Sequence, residues 1–199
     1  MAPVASTNPY PWPYDGMLRA DRTALVIAGA QSGWLAASAD PEPVAARLAH
    51  LIATLRPTGV IVVGLSHVRS PRLPFTAGPG RAAVPVVGTP EATPLVFPGS
   101  PVDVAVVAQG IDGFYASALE AQLRAAGRTH LLMAGFASEI TVDSTLRGAN
   151  DRGYECLVLT DAVAPVSLEI GAHALASVTM SGGIFGALGT SADVLAALV

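Results

Sequence analysis

The chain contains no lysine; its eleven basic residues are all arginine. Chemistry that needs a lysine amine, as Schiff-base partner or proton carrier, is therefore closed to this chain alone. Cysteine is almost as scarce. The one cysteine, Cys156, can form no internal disulfide, which fits a reducing compartment. It lies in the apolar run 156–160 and reads as an inert core thiol. Charged residues make up 13% of the chain, about half the usual share. The net charge is -4, with no run of one sign, which argues against a nucleic-acid or anionic-membrane partner. The four histidines, His50, His67, His130 and His173, are scattered and give no metal-ligand spacing, so neither metal nor cofactor is expected. Ser181-Gly182-Gly183 lacks the strand–loop–helix frame of a phosphate loop. No signal-peptide pattern opens the chain, and the apolar stretch 23–37 is broken by Gln31 and Ser32. The expectation is a cytoplasmic protein with no membrane contact.

What is present is apolar: 51% of 199 residues. That length supports one sizeable core, and the composition favours burial in a homo-oligomer interface as well. Residues 1–22 read as an arm, because Pro3, Pro9, Pro11 and Pro13 forbid regular structure there. Its aromatics, Tyr10, Trp12 and Tyr14, are expected to pin it to the body or to a neighbouring subunit. Residues 23–199 read as a single domain. Apolar runs at 24–28, 60–65, 104–108, 130–134 and 156–160 suit strands covered on both faces, hence parallel. Helical patterns fall at 43–56, about 115–126, 139–152 and 167–180, with a last short strand near 184–187 and a helix from Ser191. The order predicts an α/β, doubly wound, mostly parallel sheet of about six strands with helices on both faces. The Pro/Gly/Thr-rich stretch 69–101 reads as a long functional loop.

In such sheets ligands bind beyond the carboxyl ends of the strands. That places Gly29, Gln31, Trp34, His67, Gln109 and the segment from Gly135 onward near a site. The helix start at Phe136-Ala137-Ser138-Glu139-Ile140-Thr141 offers free N–H groups to an anion, with Ser138 as expected N-cap.

Several motifs in order resemble one family. They are Tyr10-Pro11-Trp12-Pro13-Tyr14-Asp15-Gly16, Thr23-Ala24-Leu25-Val26-Ile27 with Gln31, Gly148-Ala149-Asn150-Asp151-Arg152-Gly153-Tyr154 and Gly182-Gly183-Ile184-Phe185-Gly186. Together they are similar to the isochorismatase-like cysteine hydrolases, in particular the ureidoacrylate and biuret amidohydrolase branch. The resemblance implies an Asp–Lys–Cys triad, and this chain departs from it three times. The Asp position falls on Gly29, two residues before Gln31. The Lys position falls on Gln109, five before Phe114. The Cys position falls on Thr141, six after Gly135. It also implies an oxyanion hole from the N–H groups of Ala137 and Thr141, with a cis peptide at Phe136-Ala137.

Threonine is a poor nucleophile without an adjacent base. The expected pocket is larger, neutral and lined by Trp34, Phe114 and Phe136, and suited to a fairly apolar small-molecule substrate. Gln109, Thr141, His67 and Glu139 are the candidate catalytic groups. Gly29, Gln31, Trp34, Phe114, Phe136, Ala137 and Ile140 are the candidate binding residues. Three readings follow: a repurposed enzyme doing non-covalent chemistry, a non-catalytic binding or partner subunit, and a C–N hydrolase with an unorthodox centre.

Overall fold

A computed structural model of the chain describes residues 3–69, 84–97 and 99–198. Residues 70–83 and 98 of the 69–101 loop thus lie outside the described residues.

Six strands form one parallel sheet in the order β3-β2-β1-β4-β5-β6. They are β1 (Thr23–Ala28), β2 (Ile61–His67), β3 (Val104–Ala108), β4 (His130–Phe136), β5 (Glu155–Ala164) and β6 (Ala187–Gly189). All side chains of β1 and β4 are buried, which explains why these segments read as unbroken apolar runs. Alternate residues face opposite cores. Leu25, Ile27 and Leu132 pack under helix α2 (Pro41–Leu55), whose Leu48, Leu51, Ile52 and Leu55 form one buried stripe. Val26, Val63, Leu65 and Met133 pack under α3 (Leu119–Ala125) and α4 (Asp143–Asp151). The order reverses between β1 and β4, so their carboxyl ends flank the crevice where this topology binds ligands.

Helix α1 (Ser32–Ala37), which the periodicity does not predict, follows β1 directly. The helical pattern 167–180 appears as α5 (Leu168–Val178), followed by the four-residue α6 (Met180–Gly183) and, after β6, α7 (Ser191–Leu198). Three boundaries differ from the sequence reading. The last strand begins at Ala187, because positive φ at Gly182, Gly183 and Gly186 keeps Ile184 and Phe185 in a turn. The α3 helix starts four residues late, since Ala116 holds a left-handed φ of 45°. The pattern at 139–152 splits into a π-turn, Ser138–Val142, and α4.

The N-terminal segment packs into its own chain. Val4, Trp12 and Leu18 are buried in the α2-side core. Trp12 meets His130 edge to face at 5.7 Å. Asn8 exchanges backbone hydrogen bonds with Leu188, capping the outer edge of β6. Replacing Trp12 by Ala removes a fully buried side chain from this joint. Urea unfolding should show a loss of about 3–5 kcal/mol; a loss below about 1 kcal/mol would mean that the segment is peripheral.

Candidate active site

The crevice between β1 and β4 is closed by the chain itself. Gly29 follows β1 with φ +66°, and a side chain there would place its Cβ 2.7 Å from the Phe136 carbonyl oxygen and 3.0 Å from Thr141 Oγ1. The positions that the resemblance assigns to the acid and the nucleophile therefore do meet. They meet as a bare backbone and a hydroxyl. Thr141 is fully buried, and its Oγ1 donates to the Phe136 carbonyl at 2.6 Å. A threonine held this way presents its proton to a carbonyl, and no base stands ready to take it.

The expected oxyanion hole is occupied as well. The Ala137 N–H donates to Ser38 Oγ at 2.9 Å, and the Thr141 N–H donates to the Ala137 carbonyl at 2.9 Å. Phe136-Ala137 is not cis: among the described residues the cis bonds are Asn8-Pro9 and Trp12-Pro13. The reversal is made at Ala137 instead, which takes φ 50° and ψ 54°. That conformation is costly for a residue with a Cβ, and the Ser38 contact helps to hold it. Ser38 was not among the residues nominated from sequence. It lies 99 positions from Ala137, at the end of the unanticipated α1, and its hydroxyl also donates to the Trp34 carbonyl at 2.9 Å.

The other nominated groups separate. Glu139 does not face the crevice: its carboxylate accepts from the N–H groups of Val166 and Ser167 at 3.0 and 2.8 Å, tying the π-turn to the start of α5. Ser138 does not cap; Ala137 stands at the cap position, and the buried Ser138 Oγ has no partner. Ser138 borders a hollow of about 10 Å³ lined otherwise by Val142, Leu146, Val158 and Leu175 among others, room for about one water. Trp34, Phe136, Ala137 and Ile140 pack in or against the α2-side core. Phe114 does not join them. It lies in the opposite core, stacked on Tyr154 at 5.7 Å with the Arg152 guanidinium over its ring. Phe114 sits in a loop, so no periodicity announces its face.

Gln31 and His67 form a second cluster beside the crevice. Gln31 is fully buried; its Oε1 accepts from the His67 N–H at 2.5 Å, and its Nε2 reaches the Ala92 carbonyl at 3.4 Å. The segment around Ala92 is clamped over α1 through Ser32 and through Leu95, whose N–H donates to the Ala30 carbonyl. His67 is also fully buried, with Nδ1 3.0 Å from the Gly110 carbonyl. Nδ1 must therefore carry the proton, and Nε2 is left as a lone pair with no partner among the described residues. Burial pushes the imidazole down to about 4, against a weaker upward pull from the Gly110 carbonyl, so it is neutral near pH 7. Gln109, half-buried, immediately precedes Gly110 at the end of β3. The Cys156 thiol, pushed up by burial, is away in the α4-side core. Among the described residues, no group of three His, Cys, Asp or Glu side chains is placed to hold a metal. None of the described helices is long and apolar enough to cross a membrane.

A family model for the isochorismatase domain matches residues 23–193. The chain belongs to the isochorismatase family. A ureidoacrylate amidohydrolase of Methylobacterium radiotolerans is 33% identical over 140 residues, which are 60% of this chain and 54% of that protein. The chain thus aligns with about half of that relative's length. An isochorismatase family protein of Burkholderia thailandensis has a TM-score of 0.74 at 28% identity, covering 89% of this chain and 96% of the other. A cysteine hydrolase of Pseudomonas syringae shares the fold with a TM-score of 0.74 at 19% identity, covering 91% and 94%.

Two predictions follow from the closed crevice. Gly29→Asp, which restores the family carboxylate in name, forces a Cβ against a carbonyl at a left-handed φ. It should destabilise the protein by at least about 2 kcal/mol in urea unfolding and produce no amidase activity. A stable Gly29→Asp protein would mean that the crevice opens readily.

The His67 shift makes the second prediction. Its folded value lies below the ordinary 6.5, so between about 4 and 6.5 the unfolded chain binds more protons. The stabilisation is full above 6.5 and is lost as pH falls toward 4. Urea midpoints for the natural protein should drop across that window more steeply than those of His67→Gln. Parallel curves would show that His67 titrates alike in both states.

Proposed function

We propose that this protein is a non-hydrolytic member of its family, a repurposed enzyme that binds a neutral, largely apolar small molecule and promotes a non-covalent step. Cyclisation, elimination, isomerisation and pericyclic rearrangement are the reaction classes that suit it, in a specialised biosynthetic pathway. The observation that carries this reading is the internal use of every group that acyl transfer would require. Thr141 donates to Phe136, the Ala137 N–H is spent on Ser38, and the family's acid and base positions hold Gly29 and Gln109. An acyl-enzyme would need a free nucleophile and two free donors at once.

The edge beside the crevice keeps chemistry of another kind. His67 Nε2 is a buried acceptor with no partner among the described residues, and a substrate O–H or N–H that reached it would be oriented without being ionised. Gln109 supplies an amide that can donate and accept. Neither group needs a charge, which fits an apolar ligand.

One observation favours a second reading, a non-catalytic binding or partner subunit. The donors at the former hole are satisfied within the chain, as they would be where no transition state has to be held. A gene-replacement experiment separates the two. With metabolite profiles of the producing cell as readout, His67→Ala and Gln109→Ala should lower pathway product at least tenfold while Thr141→Ala leaves it within about twofold. Unchanged product in all three variants favours the binding subunit. Intact-protein mass spectrometry after incubation with ureidoacrylate should show neither adduct nor turnover. Hydrolysis abolished by Thr141→Ala would instead establish the unorthodox hydrolase.

A further inference from the structure

The hollow bordered by Ser138 lies under a helix that is fastened at both ends. At the start of α5, Glu139 accepts from the N–H groups of Val166 and Ser167. Near its end, Arg147 of α4 donates to Ser177 Oγ at 3.0 Å. Between these ties α5 buries little: of its eleven residues, only Gly171 and Val178 are buried. The hollow sits beneath this stretch, walled by Val142, Leu146, Val158, Leu175 and Val178.

Its chemistry is lopsided. The walls are hydrocarbon, and one hydroxyl looks in. Ser138 is 5% exposed, and its Oγ has no partner among the described residues. An unpaired buried hydroxyl is a standing cost to the fold. Asp143, the other polar residue of the lining, turns away: Arg147 Nε and Nη2 donate to its two oxygens at 2.9 and 3.0 Å. The volume of about 10 Å³ suits one water. A water held there would find Ser138 as its one ready partner, where about two to four are usual. A hydroxyl carried on hydrocarbon matches the site better. It pairs with Ser138, and its carbon chain meets the valine and leucine walls.

The entrance limits the shape of that chain. Asp143, Ala174 and Leu175 are half-buried, so the hollow reaches the surface between α4 and α5. Small residues keep the passage narrow but open. A Cβ on Gly171 would lie 3.7 Å from Ser138 Oγ, and Ala174 carries a single methyl into the lining. A slender chain can enter end-on; a branched head cannot.

We propose that this hollow is a binding site for the hydroxyl end of an unbranched aliphatic alcohol, with Ser138 as the recognising group. The site is independent of the chemistry read at His67 and Gln109, which stand at the ends of β2 and β3. Ser138 opens the π-turn that carries Thr141, and irregular turns of this kind often mark functional sites.

Methyl NMR of the full chain titrated with 1-butanol tests it. The methyls of Val142, Leu146, Val158, Leu175 and Val178 should shift together and saturate, with a Kd of about 1–30 mM, as befits so small a ligand. tert-Butanol has the same atoms but a wider head, and should bind about tenfold more weakly or worse. Ser138→Ala should weaken 1-butanol about fivefold, and Ala174→Leu, which fills the passage, should abolish saturation. Circular dichroism melts within a few degrees of the natural protein confirm that both variants are folded. Shifts that rise linearly to about 100 mM, without saturation, overturn the proposal. So do equal affinities for the two butanols, or either variant binding 1-butanol as the natural protein does.

Discussion

Everything around the crevice depends on the hydrogen bond from Thr141 Oγ1 to the Phe136 carbonyl across Gly29. The carbonyl is buried at the end of β4, where an unpartnered acceptor costs about 1–3 kcal/mol. A hydroxyl satisfies it. A thiolate has no proton to give and would be repelled by the same oxygen. A side chain at position 29 would enter the space between the two groups. Gly29 and Thr141 are therefore linked: Gly29 makes the room in which Thr141 reaches Phe136. The left-handed Ala137 and its clasp on Ser38 complete the same closure from the other side.

Closure changes the electrostatics as much as the shape. A triad of carboxylate, ammonium and thiolate keeps several charges at one place, and each needs solvation or a partner. Here the assigned positions carry none, and Glu139 has been turned to the α5 start. Burial pushes the His67 imidazole down to about 4, so it is neutral near pH 7. The three positions that the resemblance assigns to a charged triad thus all hold uncharged groups, Gly29, Gln109 and Thr141.

The sheet was legible because its inner strands are buried on both faces and carry no polar alternation, while the edge strand β3 alternates exposed and buried residues yet is apolar in sequence. The β1 and β4 segments are apolar at nearly every position, and α2 shows one clean stripe. The positions of Gly29 and Thr141 were legible only through the resemblance, which supplied the spacing. What could not be read depends on tertiary partners. The π-turn at Ser138–Val142 has helical composition, and nothing local marks the extra residue in its turn. A trans bond before a left-handed Ala137 replaces the expected cis bond through a contact with a serine far away in the chain. Phe114 sits in a loop, where spacing carries no information about which core it enters. The arm's aromatics were visible, whereas Trp12's burial against His130 required the fold.

The buried polar atoms left without a partner among the described residues are not confined to one place. Ser138 Oγ lies between Ala137 and Glu139, and Trp12 Nε1, Arg128 Nε and the Tyr154 hydroxyl lie in other parts of the chain. Thr141, Ala137 and Glu139 have partners inside the chain. Two of the orphans are tied together: His67 Nε2 is an acceptor and Trp34 Nε1 a donor, both buried and both on segments joined by Gln31, which opens α1 and holds the His67 backbone. Leaving two such atoms unmatched costs a few kcal/mol, a cost that a bound molecule with its own donor and acceptor would offset.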